Sequence, residues 1–286
     1  MREDADPSDK QEFSTKPFWH NPFKFLNRTQ SMINLGINNK CNQDCSFCQT
    51  QKFLKEGIWS EPSSDEIAQK IQQAARDSKH ILFSGGGEAT TLPNLPELIR
   101  YAKSLGIENV SLETNGVALG DRNYVKELEK CGLTECKVSL HSHIEQVSDE
   151  ITRALGTFNE TIRGMRNLAG TSIQFTTVQH TITSLNYKAL RDFAIFLNQE
   201  FPSVTCLCLN FIRPIKGDPV SEGITPKLRD VEPHLIDLFR YAEESNFLIY
   251  TASTLGFPYC FLPDFEHFSS ELQQHALSSR QTILAP

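Results

Sequence analysis

No apolar run in this chain approaches the ~20 residues that a membrane-spanning helix requires. The opening Met1-Arg-Glu-Asp-Ala-Asp-Pro7 lacks the basic-then-apolar layout of a secretory signal. Positive charge is not in excess: 28 Lys and Arg stand against 35 Asp and Glu, giving a net charge of -7 and a pI near 5.7. Binding phosphates wants a basic face, so the total argues against a nucleic-acid partner, although a local patch would not show in it. No segment repeats at a fixed period. Eight cysteines in 286 residues do not make a secreted disulfide scaffold. In a reducing cytosol, clustered cysteines more often bind metal, and a cytoplasmic protein without a membrane partner is expected.

What is present is an ordinary globular composition, 39% apolar and 22% charged. A chain this long buries about 75% of its unfolded surface and needs no staples to fold. Residues 1–12 are polar and read as disordered. Residues 17–28 place four aromatics in a short arm that either caps the core or contacts substrate. The expected organisation is an N-terminal arm over 1–30, a core over 31–250 and a C-terminal extension over 251–286.

From residue 31 strand and helix signals alternate. Strands are expected over 31–37, 81–83, 109–112, 136–141, 173–181, 204–212 and 247–250. Helices are expected over 63–78, 95–105, 123–131, 157–168, 187–198 and 226–245. Ser63-x-x-Glu66 is a capping box that opens the first helix. About six βα units argue for a parallel sheet flanked by helices, fewer than the eight of a closed barrel. In such folds ligands bind at the carboxyl ends of the strands.

The densest chemical signal is Cys41-Asn-Gln-Asp-Cys45-Ser-Phe-Cys48, directly after the first strand. Three thiols within eight residues can point at one metal centre, whereas two good disulfides cannot form there. A structural zinc needs a fourth ligand, and the next His is His80. Three ligands with an open position suit a reactive site, and thiolates favour soft metals and iron–sulfur clusters.

This C-x3-C-x-aromatic-C run resembles the signature of the radical SAM superfamily. The resemblance implies an open (β/α)6 barrel over about residues 31–250. It implies a [4Fe–4S] cluster held by Cys41, Cys45 and Cys48, with S-adenosylmethionine chelating the fourth iron. Ser84-Gly-Gly-Gly-Glu88 follows the second strand, where glycines let backbone approach a ligand closely. Gly86-Gly87-Glu88 is similar to the family's GGE element, which orients the amino group of S-adenosylmethionine; Ala89 stands where family members often carry Pro. Glu113-Thr-Asn115-Gly116 is similar to the family's ETNG element and offers Glu113 or Asn115 to the site, although a plain Asn-Gly turn explains it too. Ser139, at the end of the fourth strand, is the candidate contact for a ribose or carboxylate. His141 shares its face, and His141 and His180 each read equally as interior histidines. Arg213 reads as a site contact or as surface.

Cys206 and Cys208, two apart on a strand, read as buried inert thiols. Gly256-Phe-Pro-Tyr-Cys260 resembles the start of the auxiliary-cluster extension (SPASM or twitch) of peptide-modifying relatives, but no cysteine follows, so residues 251–286 read either as lacking that cluster or as a truncated auxiliary-cluster region. A single cluster per chain is therefore expected. The reading is an enzyme that cleaves S-adenosylmethionine reductively and abstracts hydrogen from a peptide or small-molecule substrate. Its one-electron donor would be a flavodoxin or ferredoxin docking on Lys40, Lys52 and Lys55. The competing reading is a non-catalytic iron–sulfur or zinc protein that keeps the barrel as a scaffold.

Overall fold

The computed structural model describes residues 32–58, 60–84, 86–204, 206–245 and 247–251, with 262, 264, 265 and 268. The aromatic arm and Cys260 lie outside these residues. Among the described residues seven strands pair in chain order, all parallel: β1 (Met32–Leu35), β2 (His80–Phe83), β3 (Asn109–Thr114), β4 (Glu135–Ser139), β5 (Gln174–Ile182), β6 (Cys206–Phe211) and β7 (Leu248–Thr251). Parallel neighbours need long crossovers, and helices supply them. These are α1 (Gln49–Lys55) and α2 (Ser64–Asp77), α3 (Leu95–Ser104), α4 (Arg122–Cys131), α5 (Glu145–Thr152) and α6 (Thr157–Leu168), α7 (Leu190–Glu200), then α8 (Pro219–Gly223) and α9 (Leu228–Ser245). β1 and β7 do not pair, so the sheet is an open, curled half-barrel.

Local chemistry sets the boundaries. The Ser63 hydroxyl accepts from the Glu66 N–H at 3.2 Å, and the Glu66 carboxylate accepts from the Ser63 N–H at 2.7 Å, so the expected capping box opens α2. Asp121 caps α4, and Gly132 ends it in the left-handed region at φ 99°. Three helices escape the apolar periodicity. α1 buries no residue, and α8 is a single short turn. The buried face of α5 is Ser148, Asp149, Ile151 and Thr152, mostly polar.

The strands have two faces of different chemistry. Val110 and Leu112, Cys136 and Val138, Val178 and Ile182, Leu207 and Leu209, and Ile249 join one buried apolar cluster with Ile99, Leu128, Met165, Phe193 and Phe239 of the helices. Each fully buried side chain of this kind contributes roughly 1.5–3 kcal/mol. The alternate residues face the barrel interior and are largely polar: Ser111, Glu113, Lys137, Ser139, Thr177 and Gln179.

Gly164 on α6 permits the closest packing against β3's turn. A Cβ there would lie 2.5 Å from the Gly116 carbonyl oxygen and 2.8 Å from Leu119 Cβ. In a helix interior Gly→Ala ordinarily gains about 1 kcal/mol. Here overpacking of about 1–3 kcal/mol should outweigh that gain, so Gly164→Ala is expected to lower the denaturation midpoint. A raised midpoint would mean that α6 moves away freely.

Candidate functional site

The chain leaves β1 and bridges Asn38 to Gly86 before entering the cysteine loop. That loop is docked on the end of α5. The Asp44 N–H donates to Thr152 O at 3.1 Å, and the Ser46 N–H and hydroxyl donate to Ile151 O at 2.9 and 3.0 Å. These carbonyls have no partner within the helix, so the loop satisfies what the helix end leaves open. Gln43 Nε2 donates to Thr157 Oγ1 at 3.1 Å. The Cys48 N–H closes a turn on Cys45 O at 2.9 Å, and Cys48 begins α1.

The three loop thiols are half-buried. Burial pushes the Cys41 thiol up. Burial pushes Cys45 up much further, and Cys48 and Cys41 beside it add to the rise. Cys41 and Cys45, whose ionisation burial and neighbouring thiols oppose, belong to a donor set that positive charge would relieve. Among the described residues no three His, Cys, Asp or Glu side chains converge tightly enough for a single metal ion. Cys131, Cys136, Cys206 and Cys208 are buried, as expected of inert thiols.

The Gly86–Glu88 segment packs on the backbone that leads into the cysteine loop. The Gly87 N–H donates to Asn38 O at 2.8 Å, and the Glu88 N–H donates to Lys40 O at 2.7 Å. A Cβ on Gly87 would lie 2.0 Å from Lys40 O, and one on Gly86, at φ 79°, 2.4 Å from Asn38 O. The close approach that demands glycine here is to the chain itself. Asn38, 2% exposed, donates to Glu88 O at 3.0 Å and to Thr91 Oγ1 at 2.9 Å.

Glu88 is 4% exposed and acts as a hub. Its Oε1 accepts from the Thr90 N–H at 3.1 Å and from the Thr90 and Thr114 hydroxyls, each at 2.6 Å. Its Oε2 accepts from the Asn115 N–H at 2.7 Å. The Asn115 side chain donates to Asn42 Oδ1 at 2.6 Å, and its own Oδ1 accepts from the Val117 N–H at 3.1 Å. Cysteine loop, β2 loop and β3 end are thus one hydrogen-bonded rim. Asn38, Asn42, Thr90 and Thr114 belong to it and went unrecognised in the sequence, where single Asn and Thr residues carry no pattern.

On β4, Ser139 is half-buried on the interior face, and His141 follows it at the mouth. The Thr181 N–H donates to His141 Nδ1 at 3.1 Å, so the ring proton of the neutral imidazole sits on Nε2. Burial holds the His141 pKa down to about 4. Its ring meets Phe47 of the cysteine loop edge-on at 4.9 Å. His180 differs: it lies 4.7 Å from Phe193 of α7 and shares its Nδ1 with Leu140 O at 3.1 Å, an interior histidine. Burial lowers its pKa to about 3. Arg213 is on the surface. Glu113 is half-buried, and burial raises its pKa against the pull of Lys137 and of a Gln179 hydrogen bond.

The comparisons with known proteins agree with this layout. The radical SAM superfamily matches residues 35–197. A 7,8-dihydro-6-hydroxymethylpterin dimethyltransferase of Methanocaldococcus jannaschii is 35% identical over 37% of this chain and 21% of its own. An Fe-coproporphyrin III synthase of Methanosarcina barkeri is 28% identical over 57% of this chain and 40% of its own. A probable GTP 3',8-cyclase of Methanopyrus kandleri is 28% identical over 68% and 60%. The chain therefore spans less than two thirds of these relatives' length. Among solved structures, Streptococcus suis SuiB bound to S-adenosylmethionine superposes with a TM-score of 0.59 at 15% identity, over 78% of this chain and 50% of its own. anSMEcpe with bound AdoMet gives 0.59 at 16%, over 75% and 58%. At such identities the likeness concerns the fold. With more than half of its length matched, and with a half-barrel whose cysteine loop sits at the strand ends, the chain belongs to the radical SAM superfamily, enzymes that work with a [4Fe–4S] cluster and S-adenosylmethionine.

Proposed function

We propose that Cys41, Cys45 and Cys48 hold the [4Fe–4S] cluster and that Gly86, Gly87, Glu88, Asn115 and Ser139 line the place of S-adenosylmethionine. Bound there, the pair supplies one-electron reductive cleavage of the sulfonium, giving a 5'-deoxyadenosyl radical for hydrogen abstraction from a peptide or small-molecule substrate. The observation that carries this reading is the rim itself. The three-thiol loop is bonded to the Gly86–Glu88 segment and to Asn115 at the carboxyl ends of parallel strands, where this fold class takes its ligands.

The roles follow from the chemistry of each group. Three thiolates leave one coordination position open. Glu88 Oε2 accepts one hydrogen bond and keeps a second lone pair, which can receive an ammonium. Ser139 offers a hydroxyl and His141 a fixed Nε2–H donor on the interior side. Neutral histidine donates a hydrogen bond here without adding charge near a cationic sulfonium. A zinc-bearing scaffold is the competing class, and it has no use for an ammonium-binding carboxylate.

Cys41→Ala should abolish the brown colour and the roughly four irons of anaerobically reconstituted protein, together with formation of 5'-deoxyadenosine. Purified protein carrying zinc and no labile sulfide would refute the assignment. Glu88→Ala should weaken binding of S-adenosylmethionine by about 30-fold or more, the about 2–5 kcal/mol typical of truncating one member of a desolvated charge pair, without bleaching the cluster. Calorimetry showing unchanged affinity would remove Glu88 from the site.

The one-electron donor is placed at the outer edge of the cysteine loop, where Lys40, Lys52 and Lys55 stand in an otherwise acidic chain. Lys55 is already paired with Asp44 at 3.1 Å, which reduces its share. Reversing all three charges should slow reduction by an acidic flavodoxin or ferredoxin and flatten its salt dependence. An unchanged stopped-flow rate would place the donor elsewhere.

A further inference from the structure

Below Ser139, the interior face of the sheet carries a polar lining that the rim chemistry does not use. Strand register places its members in two rings. The upper ring runs Ser139, Gln179, Cys208, Tyr250 across β4 to β7. The lower ring, one pleat deeper, runs Glu113, Lys137, Thr177, Cys206 across β3 to β6. Their strand neighbours Leu112, Val138, Val178 and Leu207 turn to the helices, which fixes the rings as inward-facing.

The lower ring has an unusual charge pattern. Glu113 and Lys137 are directly opposed on adjacent strands, and each acts electrostatically on the other. Lys137 is 7% exposed, so this cation is held inside the barrel. Among the described interior-facing strand residues Lys137 is the one Lys or Arg, and Glu135 adds a second carboxylate below it, bonded to the Ser111 hydroxyl at 2.8 Å. Beside Lys137 is Thr177, 3% exposed, whose hydroxyl is buried with no partner beyond the weakly hydrogen-bonding Cys206 thiol. A buried polar group without a strong partner is a cost that a ligand group in the ring would remove.

We propose that this ring receives a zwitterionic, amino-acid-type head group of the substrate, its carboxylate on Lys137 and its ammonium on Glu113, a reading that rests on the cofactor site proposed above. A polyphosphate would meet one cation against two carboxylates. A lone cation would compete with Lys137, and a lone anion would be repelled by Glu113 and Glu135. A ligand carrying both charges a few ångströms apart sets each against its opposite, so no buried charge loses its partner. Ser139 and Gln179 of the upper ring then lie between the head group and the rim, so the reacting carbon would sit toward the cysteine loop.

The test uses anaerobically reconstituted protein loaded with S-adenosylmethionine. The probes are the free L-amino acids, their primary amides, their N-acetyl derivatives and inorganic tripolyphosphate, read by calorimetry and by stimulated 5'-deoxyadenosine release. At least one free amino acid is expected to bind, with its amide and N-acetyl forms about 30-fold or more weaker, since each leaves one buried charge unpaired. Glu113→Gln and Lys137→Met should weaken that binding to a similar extent while cluster absorbance and affinity for S-adenosylmethionine stay unchanged. If Lys137→Met fails to fold, Glu113→Gln and the two ligand derivatives carry the test alone. Binding indifferent to these changes, preference for tripolyphosphate, or no binding by any amino acid would overturn the proposal. Failure of the cofactor reading would show separately, as missing cluster absorbance or lost S-adenosylmethionine binding before any probe is added.

Discussion

Everything at the mouth of this barrel depends on one close contact, the packing of Gly86 and Gly87 on the backbone of residues 38–40. Two N–H groups donate across it at 2.8 and 2.7 Å, and no side chain larger than hydrogen fits at either glycine. The contact fixes where the cysteine loop begins. It also delivers the Glu88 carboxylate to the end of β3, where Thr114 and the Asn115 backbone hold it. A carboxylate buried to 4% exposure would be expensive without such donors. With four of them it becomes a rigid corner, and Asn115 passes that rigidity back to the cysteine loop through Asn42.

The second anchor of the loop is the end of α5. Its buried face is polar, which is why the apolar period does not announce it, and Asp149 accepts from the Gly156 and Phe158 N–H groups to start α6. A sequence reading sees a hydrophobic stripe where a helix packs on apolar neighbours. It has no comparable signal for a helix whose task is to satisfy backbone groups of a loop. The strands and the larger helices were legible because their outward faces feed one apolar cluster. The grouping of Cys41, Cys45 and Cys48 in one loop was legible from their spacing; a cluster there is what the resemblance implies.

The glycines are instructive in the same terms. Two adjacent glycines at a strand end announce a close approach, and the sequence carries no mark of what approaches. The segment in contact, residues 38–40, lies some fifty positions earlier and contains only Asn and Lys. Likewise Glu88 could be placed near a ligand by resemblance, but two of the four donors that hold it come from Thr114 and Asn115, some twenty-six positions on. Long-range hydrogen bonds between ordinary polar residues leave no periodic trace.

Rim and interior are built by different means, and this bears on what each can change. The rim joins two backbone bonds at Gly87 and Glu88 to the carboxylate of Glu88 and the amides of Asn38 and Asn115, with side chains restricted at Gly86 and Gly87, so it admits few substitutions without moving the cysteine loop. The interior rings are side chains on strands whose outward faces already secure the sheet. Glu113, Lys137, Thr177 and Gln179 set charge and hydrogen bonding inside the barrel through their side chains, apart from the ladder of backbone bonds. Under the proposals above, a fold arranged this way would hold the cofactor rim constant while its interior lining varies, and residues that discriminate substrates would be sought on β3 to β7 below the rim rather than in the cysteine loop itself.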